Sequence, residues 1–594
     1  MKARIVLLVA TGALVASACG TGAPAPTPTT APVKPTATAL ATATQTPSAS
    51  PTAQSATSAP TVAVSTATPT RAPTASPTPA GPLPSRGGVL LVSTAVIAAE
   101  ADLHKAPSVT SQSNFSPGFD MMIRMSPPDH LNVVPGVLQS WVVADGGKSY
   151  TFKVRQGIQF HNGSPLTADD VAFSLTRILG ISGVGPLASS TLIDVVDQVQ
   201  VTDAQTVLVT LKLPSPTFLE RLAFPLNVVM PKAVVGPLDS AKQAVTSKNM
   251  IGSGPFRSPK EETSISVEWS RNPNYWAKDA SGNQLPYLDG IKTFQIADIS
   301  AAIAAFRTTQ VHVTREGASG LRSQDVDVMK KTLGDRIVIR SVDTWASFLI
   351  IPNTQRFPWN DVRARKALHL GLDRQTLVDF FGKDFAKVGS QMPQGQWDLP
   401  QDDLLKLPGF RASKGDDILE AKRLLKDATV PDGFTYRSIS SGSATNDTNV
   451  AMVDMLAKVG LRHQPEPLAS NLRVTRTLTG DFDLLAQLTA YPLNDPDLIL
   501  GVITRTGGAN NYGRFSSPDF DRLADQVAKE LDPMKRAQSV RDWQLKSFDL
   551  AYPIMGYWIT PPGAYWKTVH NWNLGPGQYN GYSDYDVLWL DPKA

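Results

Sequence analysis

The stretch that decides the fold is YTFKVRQGIQFHNGSPLTADDVAFSLTRI, Tyr150–Ile178. Tyr150, Phe152 and Val154 alternate with Thr151, Lys153 and Arg155, the period-two pattern of a strand with one buried face. Gly157 interrupts it, Ile158 and Phe160 resume an apolar face, and His161-Asn162-Gly163-Ser164 is turn chemistry in which Gly163 can take a positive φ. Thr167 stands three residues before Asp170, a capping-box start that puts a hydroxyl and an acidic charge at the positive end of a helix. Val171, Leu175 and Ile178 follow at helical spacing and predict its buried stripe. The unit is strand, turn and short helix, and its residues serve packing rather than catalysis.

Around it lie 594 residues, 42% apolar and 18% charged, too many for one core, so two or three domains are expected. The formal charge of +4 is small for this length and gives no case for nucleic acid. Cys19 is the only cysteine, which excludes a disulfide framework and a cysteine metal site. Residues 1–19 have the order of a secretory signal: Lys2 and Arg4, an apolar run from Ile5 to Val15, then Ala16-Ser17-Ala18 before Cys19. From Gly20 to Ser85 the chain is almost entirely Ala, Thr, Pro and Ser, with Lys34 and Arg71 its only charges. Such a composition cannot offset its ordering entropy and predicts a disordered tether. As a coil of about 66 residues it would span about 45 Å end to end.

The globular part is expected to begin near Arg86-Gly87-Gly88, with Val89-Leu90-Leu91-Val92 as a first strand. Residues 191–213 alternate and predict a strand pair turning at Asp203-Ala204. In Met250–Phe256 the glycines Gly252 and Gly254 permit a tight or positive-φ turn, and Pro255 fixes the exit. Asn360 or Asp361 can cap a helix burying Ala364, Ala367, Leu368 and Gly371, and Asp373 a second burying Leu377, Val378 and Phe381. Arg363 and Arg365 on the first of these helices are expected to be solvated or paired.

These segments, in this order, resemble the family 5 extracellular solute-binding proteins, receptors of ATP-binding-cassette importers for peptides, nickel complexes and some sugars. Tyr150–Ile178 is similar to a family signature, and Val134–Trp141 to its "P-x-L-A-x-x-W". Gly252–Phe256 resembles "G-T/S-G-P-F", Arg271–Trp276 "R-N-P-x-Y-W", and Phe306–Val311 "F-x-x-G-x-V-D" with Thr309 in place of the glycine. Asn353–Phe381, Asp481–Pro496, residues 516–549 and Asp584–Leu590 resemble the later landmarks, so the likeness runs from about residue 86 to the last. It implies an α/β, two-lobed periplasmic-binding-protein-like fold (type II, cluster C-like) with two crossovers and an extra inserted domain. Lobe I would comprise 86–120, 247–344 and 565–594, the inserted domain 121–246, and lobe III 345–564. Cys19 resembles the lipidation site of a bacterial lipobox, with Ala16 where leucine is usual.

The resemblance also implies the chemistry: a monomeric receptor, without cofactor or metal, that hands a polar solute to the transmembrane subunits of a permease while lipid-anchored outside the membrane. Oligopeptides and oligosaccharides are both open as the solute. Trp345, Trp397, Tyr491 and Tyr512 would offer aromatic walls to the cleft. Asn114, Phe115, Asn353 and Gln391 would line it further, with Asn494 and Asp495 in the loop after Tyr491. Oligopeptide binders of this family place an aspartate where Pro492 stands here, pairing it with the peptide ammonium. That anchor is either missing or taken over by Asp495 or Asp497. A hydrolase is the rival class, but the seven histidines are scattered and there is no HExxH, no G-x-S-x-G and no thiol beyond Cys19. The adjacent carboxylates Asp169/Asp170, Glu261/Glu262, Asp402/Asp403 and Asp416/Asp417 suit helix starts or solvated faces better than acid–base pairs. A surface adhesin is the other rival, distinguished by its lack of need for a ligand cleft.

Overall fold

A computed structural model describes residues 83–592 apart from 99, 106–108, 128, 129, 131, 181–190, 315–320, 342–345, 383, 384, 394, 492–494, 509, 561 and 573–583. Cys19 and the Ala/Thr/Pro/Ser segment up to residue 82 lie outside the described residues, and at the end of that segment the Ser85 hydroxyl already donates to Leu590 O.

The deciding stretch forms the elements its pattern predicts. Ser149–Val154 is a strand with Tyr150, Phe152 and Val154 buried. Gly163 has φ +85°, and the helix spans Ala168–Ile178. Its start is closed by Asp170, whose carboxylate accepts from the Thr167 backbone N–H at 2.9 Å and the Thr167 hydroxyl at 2.8 Å. The strand sits in a four-stranded antiparallel sheet ordered Leu138–Ala144, Ser149–Val154, Thr206–Leu211, Val196–Asp203. The core beneath this sheet draws its buried residues only from Met122 to Val229.

A second four-stranded sheet runs Val89–Thr94, Gly290–Gln295, Ser266–Arg271, Phe256–Glu262. Its first strand lies at the edge and pairs in parallel with the second through a continuous register from Val89↔Gly290 to Thr94↔Gln295. The core here gathers Leu90, Phe115, Phe256 and Trp269 with Val569, Trp572 and Leu590 from the far end of the chain. Phe224, Leu226, Val228 and Met230 also pack into it, while Val229 between them faces the other core. The segment 121–246 is therefore shared between two cores, because an extended stretch sends alternate side chains to opposite faces.

Gly252 and Gly254 are needed for a reason other than the expected one. Neither has a positive φ. A Cβ on Gly252 would lie 1.9 Å from the Gly118 carbonyl oxygen, and one on Gly254 2.5 Å from the Phe119 nitrogen. The turn presses backbone against backbone, and only glycine leaves room.

The third sheet has six strands, ordered Ala386–Lys387, Ile554–Ile559, Ala346–Pro352, Leu484–Ala490, Phe434–Ser440, Leu461–Pro467. Every residue of Ala346–Pro352 is buried, as suits a strand covered on both faces. The chain passes between the second and third sheet systems twice, side by side. Ile337–Ser341 pairs with Pro562–Trp566, and beyond them Ala346–Pro352 pairs with Ile554–Ile559. The helices Val362–Gly371 and Arg374–Phe381 begin at Asp361 and Asp373, whose side chains accept from Arg363 N and Thr376 N. Arg363 pairs with Asp361, but Arg365 is buried, donating to Trp359 O at 2.8 Å and Leu550 O at 3.1 Å. Backbone carbonyls accept its charge in place of the expected water or carboxylate. Among the described residues no helix is long and apolar enough to cross a membrane.

Candidate ligand-binding site

The candidate wall is built outward from the buried strand Ala346–Pro352. Its register sets Ser347 opposite Thr489 on one side and Trp558 on the other. Tyr491 leaves the neighbouring strand and turns back, its hydroxyl 3.3 Å from Ser347 Oγ and its ring 6.0 Å from that of Trp558. Burial pushes the Tyr491 hydroxyl well above its ordinary pKa, so it stays a neutral donor and acceptor. Trp558 Nε1 donates to Ser390 O at 3.0 Å. The Ser390 hydroxyl meets the Asp398 carboxylate and donates to Gln544 Oε1 at 2.5 Å, while Gln544 Nε2 donates to Trp397 O at 2.8 Å.

Trp397 leads to charge. The Arg536 guanidinium lies over its ring, 5.0 Å from the centroid, and grips Asp495 with two nitrogens at 2.6 Å each. Asp495 also accepts from Asp497 N at 2.9 Å, and only 6% of the residue is exposed. Its carboxylate is occupied by a bidentate cation and a backbone amide, the strongest arrangement available to it. An ammonium arriving there would meet a carboxylate already neutralised.

Tyr491, Trp397 and Asp495 thus belong to one connected region. Gln391 adjoins it, donating to Pro553 O at 2.8 Å, with Oε1 buried and unpartnered. Asn353 and Tyr512 lie at the other end of the strand. Thr354 N donates to Gly513 O at 2.9 Å, which puts Tyr512 beside Asn353, roughly 20 Å from Tyr491 at the rise of a seven-residue strand. The Asn353 amide is spent on backbone, donating to Gly480 O and Phe482 O and accepting from Gln355 N. Its role is to join two strand ends, which leaves no group for a solute. Phe115 is a core residue at 0% exposure beside Trp269. Asn114, equally buried, accepts from Ala98 N at 2.8 Å, and its backbone carbonyl accepts from Trp269 Nε1 at 3.0 Å. Among the described residues no contact brings either of them to the Tyr491 region. Trp345, Asn494 and Pro492 fall outside the described residues.

Arg536, Ser347 and Trp558 were not singled out from the sequence. Arg536 sits in the helix Pro533–Leu550 and meets Asp495 only through the fold, so no local spacing announces it. Ser347 and Trp558 read as strand residues, and only the register shows that they flank Tyr491. Among the described residues no three His, Cys, Asp or Glu side chains are grouped to hold a metal ion.

Residues 132–511 match the family model described as bacterial extracellular solute-binding proteins, family 5 Middle. Di/tripeptide-binding protein 2 of Pseudomonas aeruginosa (strain UCBPP-PA14) is 26% identical over 482 residues, covering 74% of this chain and 86% of its own. The solved structure of DppA from Helicobacter pylori in complex with the peptide STSA superposes with a TM-score of 0.71 at 19% identity, over 85% of this chain and 98% of its own. That of AgaA from A. tumefaciens R10 in complex with agropinic acid gives 0.70 at 19% identity, over 85% and 99%.

Proposed function

We propose, because this chain belongs to the bacterial extracellular solute-binding proteins of family 5, that it captures a short peptide between two lobes and delivers it to a membrane permease. Members of this family are receptors rather than enzymes. The single observation that carries the reading is the match over residues 132–511, which spans both the deciding stretch and the strand leading into Tyr491. Solute would settle against Tyr491 and Trp397, and contacts from the other lobe would then favour closure. Residues 86–120, 247–344 and 565–594 would form one lobe and 345–564 the other, with 121–246 inserted. Cys19 would carry a lipid, and the segment Gly20–Ser85 would let the body range above the membrane near its permease.

The peptide would be held without an ammonium anchor, since Asp495 is paired with Arg536. Calorimetric titration of the purified protein with free and N-acetylated di- and tripeptides tests this. Binding with equal affinity for both forms is expected. A loss of tenfold or more on acetylation, cancelled by Asp495→Asn, would restore the anchored reading, since only a real contact couples the two changes. Absence of binding across a peptide library, with retention of another polar solute, would replace peptides as the ligand class. Labelling with a fatty-acid probe in cells checks the anchor: wild type should label and Cys19→Ser should not.

A further inference from the structure

The short helix Phe218–Leu222 meets the chain at Asp495–Asp497, bringing together the sheet core of 122–229 and the six-stranded system. Arg221 is fixed on its own side first: Nε donates to Thr217 Oγ1 at 2.9 Å and Nη1 to Thr191 O at 2.6 Å. Only Nη2 is left to cross, and it pairs with Asp497 Oδ2. On the other side Asp497 is fixed in turn, its N–H bonded to Asp495, which Arg536 holds; Arg536 Nε donates to Val527 O at 2.9 Å. Each half of the pair is thus set in place by its own surroundings, and among the described residues one ion pair joins them.

We propose that the Arg221–Asp497 pair is a latch that forms only when these two sides close. The proposal rests on the reading above that the body opens and closes. Closed, the junction holds two cations and two carboxylates, Arg221 and Arg536 against Asp495 and Asp497.

The mature body contains no cysteine, since Cys19 is the only one, so paired labels can be placed cleanly in a Cys19→Ser background. Spin labels at Val142→Cys and Leu419→Cys, 68% and 69% exposed on opposite sides of the junction, report separation by pulsed electron resonance without added solute. Wild type should show a short and a long population. Asp497→Asn should lower the short-to-long ratio about fivefold or more. The exchanged pair Arg221→Asp with Asp497→Arg should recover part of the loss. An unchanged ratio in Asp497→Asn, or one unvarying distance in every variant, overturns the latch. No solute enters the measurement, so the latch can fail while peptide titration succeeds, and the reverse.

Discussion

Arg177 and Arg221 are both buried arginines contributed by helices of one compact region, yet they are used in opposite ways. Arg177 meets carboxylates on two sides, Asp102 at 2.9 and 2.5 Å and Asp239 at 2.7 and 2.9 Å, with Lys105 closing the network onto Asp239 at 2.8 Å. Asp102 comes from the N-terminal part of the globular chain, so this network bolts the Tyr150–Ile178 region to its neighbour. Arg221 spends two nitrogens at home and reaches across with one. A joint with four charge-assisted bonds behaves as part of one rigid unit. A joint with one can form and break within the range of a binding energy.

The largest effect should come from breaking the bolt. Arg177→Met leaves Asp102 buried without its guanidinium, while Asp239 keeps Lys105, and should lower stability by about 3–5 kcal/mol, read as a fall in the denaturation midpoint. Equal midpoints for variant and wild type would mean the network carries no load. Next is Asp120, a buried carboxylate of the bolted side held by neutral donors alone, Tyr275 Oη and Trp276 Nε1 at 3.0 Å each. Burial pushes it up to about 6, so its contribution to stability is present below its ordinary value of 3.8 and is lost as pH rises through about 6. The buried histidines His104 and His463 and the half-buried His161, each held down to about 4, act in the opposite sense, so the comparison must be with Asp120→Asn. The difference between the two proteins should change by on the order of 3 kcal/mol between pH 4 and pH 7. A parallel pair of pH profiles would refute it.

Asp495→Asn should cost about 2–3 kcal/mol, because Arg536 loses its charged partner while keeping a neutral acceptor. The loss should appear in stability and leave peptide affinity within about twofold. The smallest effect on stability belongs to the latch itself. Asp497→Asn should lower stability by less than Arg177→Met does, because Arg221 keeps Thr217, Thr191 O and a neutral amide acceptor, while still changing the open–closed ratio. If both variants moved both readouts together, bolt and latch would be one kind of joint.

The elements were legible because their signals are local. The alternation of Tyr150, Phe152 and Val154, the Thr167–Asp170 cap, and the caps at Asp361 and Asp373 all appear in the structure as read. Asp170, Asp402, Asp403, Asp416 and Asp417 do stand in first turns of helices. Gly252 and Gly254 were recognised as a turn, but their reason lay at Gly118, which no spacing within Met250–Phe256 could supply. The candidate wall was half legible. Tyr491 and Trp397 stand together, whereas Asn353 satisfies backbone and Phe115 fills a core. The partners that decide what Asp495 can do, Arg536 and through Asp497 the distant Arg221, are set by tertiary contact alone.

The parallel edge strand Val89–Thr94 has a mechanical consequence. Any pull that reaches the body through the chain ahead of Val89, directed along the strand, loads the whole ladder from Val89↔Gly290 to Thr94↔Gln295 in shear. The rungs must then fail together rather than peel one after another. A force probe gripping the chain ahead of Val89 and drawing along the strand should find it a firm handle, the ladder resisting as one unit before the first element unravels.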